Sequence, residues 1–415
     1  MGILLYIDPG TGSMLFTILI GLIGAGIYSL RMLVIKLKFF LSGGKSREAN
    51  TDRLPFVIFS DDKRYWNIFE PVCREFDRRG LDITYMTASP DDPGLNSGLT
   101  HVRGEFIGEG NAAFAKLNFL KADIVLSTTP GLDVYQWKRS RDVKYYAHIL
   151  HHPGNITMYR MFGIDYYDAL LLSGDFQVKD ARALEELRKL PAKDIEVVGL
   201  PHMDVMKARL DREGVIKNDR PVVLVAPTWG PGGILTKFGE KLLEMLSRTD
   251  YHIIIRPHPQ SWSSEKQMLD KLMEKFPASE RIEWNRDNDN FEILRRSDIM
   301  ISDFSGVVFE FTLIFDKPLI YSPAEIDVSL NDAWWLDTPL WTKSALPRIG
   351  IELNEEIVAD LDRVIEESMN SEALSRGREE VRNEVWKCQG EGAKNTVDFL
   401  INKYSEITKD IQEKK

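Results

Sequence analysis

SDIMISDFSGVVFEFTLIFDKPLIY, residues 297–321, is the stretch whose reading decides the fold. DIMISD (298–303) is a short apolar run closed by Ser302 and Asp303, as expected of a buried strand. Phe304, Ser305 and Gly306 make a turn, VVFEFTLIF (307–315) reads as a helix, and KPLIYS (317–322) as the next strand. A strand, a crossover helix and a second apolar strand form the unit of a parallel sheet covered on both faces. The same rhythm runs upstream through PVVLVAPT (221–228), a helix over 236–249, YHIIIRPHP (251–259), a helix over 265–276, the short strand RIEW and a short helix over 290–297. It appears once more before residue 205. LPFVIFS (54–60) precedes a helix from about Tyr65 to Arg79; then come LDITYMTA (81–88), ADIVLST (122–128), VKYYAHIL (143–150), ALLLSG (169–174) and IEVVGLP (195–201). The expectation is an α/β protein of two doubly wound, Rossmann-like halves facing a cleft, with ligands at the carboxyl ends of the strands.

Composition bounds what such a protein does. With 415 residues, 43% of them hydrophobic, the chain can build two or three domains. A net charge of −10, from 53 Lys+Arg against 63 Asp+Glu, argues against a general nucleic-acid binder. Only two cysteines, Cys73 and Cys388, are present, which excludes a disulfide scaffold and a cysteine-rich zinc site and suits a reducing compartment.

The amino terminus differs from the rest. MLFTILIGLIGAGIYSL (Met14–Leu30) holds 17 residues without a charge, and MLVI continues the run after Arg31 to Ile35. About 20 apolar residues cross a bilayer, so one membrane helix is expected over about 14–35. Lys36, Lys38, Lys45 and Arg47 follow it, which places the carboxyl side, and hence the body, in the cytoplasm of a single-pass membrane protein. A cleaved secretory signal and a buried core helix are the competing readings; the first is disfavoured because the positive charges follow the apolar run. The expected division is an anchor and linker over 1–45, a first Rossmann-like domain over 46–205, a second over 206–385 and a helical tail over 386–415 whose last residues fray.

The candidate chemistry sits at strand ends. His151 and His152 follow YYAHIL and precede Pro153-Gly154; His258 lies in Arg256-Pro257-His258-Pro259 after the strand HIII. Imidazoles at equivalent strand ends of the two halves could meet across the cleft, one to take a proton and the other to hold phosphate. His101, His148, His202 and His252 read instead as structural histidines. No acidic residue completes a zinc set around His148, His151 and His152, and no metal is expected. Ser302, Asp303, Ser305 and Gly306 open a helix, where backbone N–H groups bind phosphate or a side chain merely caps the first turn. Glu310 follows one turn on, placed for a ribose or for solvent. Ala226-Pro227-Thr228-Trp229 ends the first strand of the second half and runs into Gly230, Gly232 and Gly233. Neither GxGxxG nor GxxxxGK[ST] occurs, which disfavours a nicotinamide enzyme and a P-loop NTPase.

Taken together, APTW (226–229), RPHP (256–259), SDIMISDFSGVVFEF (297–311) and DKPLIY (316–321) resemble the CDP-glycerol glycerophosphotransferase family, which builds teichoic-acid-type polyol phosphates on the two-domain GT-B fold. GLPHMD (199–204) is similar to the family's glycine-proline-arginine-asparagine-aspartate turn, with His202 and Met203 in place of its middle pair. The match runs in order over about 150–330. The family's His-Gly-Thr-Pro is His151-His152-Pro153-Gly154 here, and its Thr-Asp-Tyr-Ser-Ser is Ser302-Asp303-Phe304-Ser305-Gly306. The resemblance implies that His151, or else His152, deprotonates the acceptor hydroxyl and that His258 contacts the donor diphosphate. It places Arg256, Thr228, Ser302, Asp303, Ser305, Gly306 and Glu310 around the donor. It implies a CDP-polyol donor, no further cofactor, and a lipid-linked or polymeric polyol or sugar acceptor at the membrane surface. A GT-B glycosyltransferase or epimerase using a nucleotide sugar, and a non-catalytic nucleotide-binding membrane protein, are the alternatives.

Overall fold

The computed structural model describes residues 53–413, apart from Asn288 and residues 324–326. The expected anchor over 14–35 lies outside the described residues. Among the described residues no helix is long and apolar enough to cross a membrane. Leu54–Lys415 form one compact unit.

Two sheets, both wholly parallel, carry that unit. The first contains β1 (Leu54–Ser60), β2 (Ile83–Thr87), β3 (Val102–Phe106), β4 (Ala122–Ser127), β5 (Val143–Ile149), β6 (Ala169–Leu172) and β7 (Asp194–Val197), in the order β3-β2-β1-β4-β5-β6-β7. The second contains β8 (Val222–Ala226), β9 (His252–Ile255), β10 (Ile282–Trp284), β11 (Ile299–Ser302), β12 (Leu319–Tyr321) and β13 (Gly350–Glu352), in the order β10-β9-β8-β11-β12-β13. In each sheet the order reverses beside the first strand, which opens a crevice at the carboxyl ends. The central strands β1, β4, β5 and β8 are built of apolar and β-branched residues because both faces are buried; Ile58, Val125, Ala147 and Val225 are fully covered. β3 (VRGEF) is an edge strand of mixed polarity. Its Gly104 is required, since a Cβ there would lie 2.6 Å from the Gly94 carbonyl oxygen.

The helix expected over 307–315 is a short α-turn, Val307–Phe309, that widens into a π-turn over Glu310–Ile314. π-turns occur often at functional sites. The carboxyl-terminal helix α1 (Gly392–Glu413) does not remain with the second half. Val397 and Leu400 are buried in the first half's core beside Phe56 and Ile58, and the rings of Phe56 and Tyr404 lie 5.0 Å apart. Arg79 pairs with Asp398 and Lys403 with Asp194. The helix runs to Glu413, the last described residue.

The two halves are also braced by the segment after β12. Asp332 accepts hydrogen bonds from Phe162 N–H (2.7 Å) and from Arg188 (2.5 Å), and Asn331 Nδ2 donates to the Met158 carbonyl at 2.6 Å. Arg188 also meets Asp165, so the pairing is shared between two carboxylates in a buried site. This holds the loop that follows β5, and with it His151 and His152, against the second half.

Candidate active site

A cavity of about 320 Å³ opens between the halves at the strand ends. From the second half it is walled by Arg256, His258, Asn290, Ser305, Gly306 and Glu310, and from the first by His152 and Pro153. The structure therefore brings together residues that lie more than 150 positions apart in the chain.

The second-half wall is a cationic and polar surface. His258 Nδ1 accepts from the Gln260 N–H at 3.1 Å, which places the proton of the neutral ring on Nε2 as a donor. Burial lowers the His258 pKa, and Arg64 and Arg256 lower it further, while Asp303 and Glu265 act the other way. Arg256 donates to the Asp287 carbonyl at 2.9 Å; its Nε is buried and has no hydrogen-bond partner among the described residues. Such a donor is costly to leave unmade and suits an anionic ligand. Burial raises the Glu310 carboxyl to about 7, against the opposing effects of Asn290 and Arg256. Near neutral pH Glu310 is thus divided between the acid and the carboxylate.

Three expected donor contacts are turned inward. Ser302 is fully buried and its hydroxyl donates to the Ala226 carbonyl at 2.5 Å, which pins β11 to β8. Asp303, also fully buried, accepts from the N–H groups of Thr228 (3.0 Å) and Ile234 (3.0 Å). It holds the glycine-rich loop 228–233 in place. Thr228 takes part through that backbone bond and does not line the cavity. Ser305, Gly306 and Glu310 do line it.

The first-half wall is a cluster of imidazoles. His152 faces the cavity; its Nδ1 lies 2.9 Å from where a Cβ on Gly154 would stand, so only glycine fits beside it. His151 lies behind, its ring 4.8 Å from that of His152 and 5.0 Å from Tyr65, with Nδ1 2.8 Å from Thr128 Oγ1. His148 contacts the Tyr159 hydroxyl at 3.1 Å through Nε2. His148 is fully buried with that partner on Nε2, while its Nδ1 and that of His202 are buried without a partner among the described residues. Burial lowers His152 and His202 to about 4 and His148 to about 3, and holds His151 well below the ordinary range. Proximity to His152 adds to the depression of the other three. All four rings are neutral near pH 7. His101 and His252 sit elsewhere, beside Asp82 and Glu283.

Sequence reasoning missed Asn290, Tyr159, Thr128 and the burial of His202. The only signal for His202 was its place in the GLPHMD turn, at the start of the helix α2 (Pro201–Glu213). Among the described residues no group of three or more His, Cys, Asp or Glu side chains is placed to hold a metal ion.

Comparison with known proteins gives the site its context. No curated protein sequence matches the chain. Among solved structures, the wall teichoic acid polymerase TagF, in a crystal soaked with CDPG, aligns with a TM-score of 0.53 at 15% identity, covering 92% of this chain and 99% of TagF. A putative UDP-N-acetylglucosamine 2-epimerase from Listeria monocytogenes aligns at 0.57 and 14% identity, covering 86% and 98%. UDP-GlcNAc 2-epimerase from Methanocaldococcus jannaschii aligns at 0.53 and 15%, covering 85% and 100%. These likenesses establish the GT-B-like fold. Residues 166–372 match the family model described as CDP-Glycerol:Poly(glycerophosphate) glycerophosphotransferase. That span holds Arg256, His258, Ser305 and Glu310 but begins after His151 and His152. The chain is a transferase and belongs to the CDP-glycerol glycerophosphotransferase family.

Proposed function

We propose that the protein transfers glycerol phosphate, or a related polyol phosphate, from a CDP-polyol to a hydroxyl on a lipid-linked or polymeric acceptor in cell-envelope polymer synthesis. The observation that carries this is the convergence, in one cavity, of the neutral imidazole of His152 with the Arg256, His258 and Glu310 wall of the family-matched half.

In this reading the donor diphosphate lies against Arg256, the Nε2–H of His258 and the backbone at Ser305 and Gly306, with Glu310 toward the ribose. The acceptor oxygen attacks the phosphorus that carries the polyol. A new P–O bond forms as the bridging P–O bond breaks, its electron pair leaving with CMP. The hydroxyl proton passes to an imidazole of the His151–His152 pair. The family resemblance points to His151; the cavity is faced by His152, with His151 fixed behind it by Thr128. A ring held near 4 is a weak base in the empty site, but two added phosphate charges favour its protonated form and raise its pKa. The donor therefore sharpens the base it needs. Stabilising the leaving phosphate with preorganised donors supplies the rest. No further cofactor is required.

We also propose that Met14–Ile35 anchor the chain as a single membrane helix with the body in the cytoplasm. The uncharged run and the basic residues after it support this. Retention in the membrane fraction after alkaline carbonate washing, lost on deleting residues 1–45, checks it.

The central test follows acceptor-dependent CMP release from CDP-glycerol by the full chain. Release that is lost in His152→Ala or His151→Ala, and in His258→Ala, is the expected result. Turnover of a nucleotide sugar without CMP release from CDP-glycerol would replace the donor assignment.

A further inference from the structure

A second, larger cavity of about 560 Å³ adjoins the first and shares His152, Pro153 and Gly306 with it. Its walls differ in kind. Phe304, Phe309 and Tyr321 present aromatic surface, Leu346 adds an aliphatic edge, and Thr342 is a polar group at the rim. Formal charges in the lining are one Lys343 and one Glu352, which sum to zero with the histidine neutral. The chamber is fixed between the halves: Asn155 Oδ1 accepts from Thr342 N–H at 3.2 Å, and Phe176 stacks on Trp341 with ring centres 4.6 Å apart.

A transfer enzyme must hold its second substrate with the reacting hydroxyl beside the base. The only lining side chain shared by this chamber and the donor cavity, other than Pro153, is His152, so a hydroxyl compound seated here presents its oxygen where proton and phosphorus are exchanged. The lining then sets what that compound is. Aromatic faces with a few polar groups suit the flat C–H faces and rim hydroxyls of a sugar ring. A chain with one phosphate per repeat needs paired cations along its track, and this chamber offers no net positive charge.

Resting on the transfer reaction proposed above, we infer that this chamber is the acceptor site and that it takes a neutral, ring-faced glycoside in preference to a polyanionic glycerol phosphate chain. The reacting step is unchanged: the sugar hydroxyl oxygen gains the polyol phosphate, CMP leaves with the bridging electron pair, and the proton goes to the imidazole.

The test uses the full chain with two soluble probes, phenyl β-D-glucopyranoside and a glycerol phosphate trimer, each with CDP-glycerol. The glucoside is expected to support CMP release with a kcat/KM at least about tenfold above that of the trimer, a difference of about 1.4 kcal/mol. With CDP-glycerol saturating, the KM for the glucoside should hardly change between low and high salt, because no charged contact to it is screened. Thr342→Trp, which fills the chamber, should raise the KM for the glucoside about tenfold or more while the KM for CDP-glycerol moves less than about twofold. Leu346→Phe should act the same way to a smaller degree, and serves if Thr342→Trp does not fold. Preference for the trimer with steep loss at high salt overturns the inference. So does a filled-chamber variant in which only the donor KM rises. Saturation-transfer NMR of the glucoside on the protein gives a readout independent of turnover. Glucoside binding lost in Thr342→Trp, with no CMP release from wild type, would leave the chamber standing and sink the transferase reading; no glucoside binding to wild type sinks the chamber itself.

Discussion

The two halves reach the cleft with histidines at comparable strand ends, yet surround them differently. After β5, His152 keeps company with His148, His151 and His202, and burial is the leading cause of every depression there. After β9, His258 is less enclosed and sits among charges: Arg64 and Arg256 on one side, Asp303 and Glu265 on the other. A half-buried ring with no acid among the causes of its shift is kept unprotonated, which suits it to receive a proton in the proposed reaction. A ring in a charged setting, with its free N–H directed away from Gln260, is suited in the proposed reaction to donate to phosphate. One residue type thus stands in two environments, and the proposed division of tasks rests on what is packed around each.

The sharpest way to break this contrast is to remove each ring. His152→Ala is expected to lower kcat by about 10²–10⁴ with a small change in donor KM, the usual cost of losing a general base. His258→Ala should act mainly on the donor, raising its KM about tenfold or more. Steady-state kinetics with both substrates varied decides it, and equal kcat losses from both variants would erase the distinction. If His151→Ala carries the kcat loss and His152→Ala does not, the two neighbours exchange roles.

Arg256→Met comes next. It deletes a half-buried guanidinium lining the proposed donor cavity, and CDP-glycerol affinity should fall about tenfold or more, a loss of about 1.5–3 kcal/mol for a charged hydrogen bond. Isothermal titration with CDP-glycerol measures it, and unchanged affinity would place the diphosphate elsewhere.

Glu310 gives a smaller, pH-dependent effect. Its carboxyl is raised to about 7, so in the free enzyme it becomes the better acceptor for ribose hydroxyls as pH rises through that value. Donor KM should drop severalfold between pH 6 and 8. Glu310→Gln should flatten that dependence, and a slope that survives the substitution assigns it to another group.

The gentlest test addresses stability. The folded-state pKa values of His148, His152 and His202 lie near 3 to 4, below the ordinary 6.5, so the folded chain binds fewer protons in that window. Their contribution is complete above about pH 6.5 and is lost as pH falls toward 4, each tenfold difference in proton affinity being about 1.4 kcal/mol. Glu310 works in the opposite direction, favouring the folded state as pH falls below 7. Comparing His202→Asn with wild type isolates the imidazole: its Tm should decline less between pH 6.5 and 4.5. Parallel curves would mean His202 is not held neutral by the fold.

Most of the architecture was legible because parallel strands buried on both faces are nearly all apolar; β1, β4, β8 and β11 appear where LPFVIFS, ADIVLS, VVLVA and IMIS stand. β3 and β13 were not, since VRGEF alternates around a glycine and Gly350–Glu352 is too short to leave a pattern. That the candidate residues stand at strand ends was likewise readable. Which way a turn residue points was not. Ser302 and Asp303 turn into the core while Ser305 and Gly306 face the cavity, and only the packing of β8 against β11 decides that. His202 joined the cluster through α2, an element whose sequence says nothing of what its first turn will meet. The return of α1 to the first half was hidden too, because Val397 and Leu400 look like the apolar stripe of any amphipathic helix.

That return sets the order in which the molecule can be completed. A chain leaves the ribosome amino terminus first, yet β1, the first strand of the body, keeps part of its apolar face uncovered until Val397, Leu400 and Tyr404 arrive. The first half must be synthesised, followed by all of the second, before its own core is sealed. During that interval an unfinished sheet stands exposed, and a chain released before Val397 leaves the first half open, although the missing segment lies far from it in the sequence.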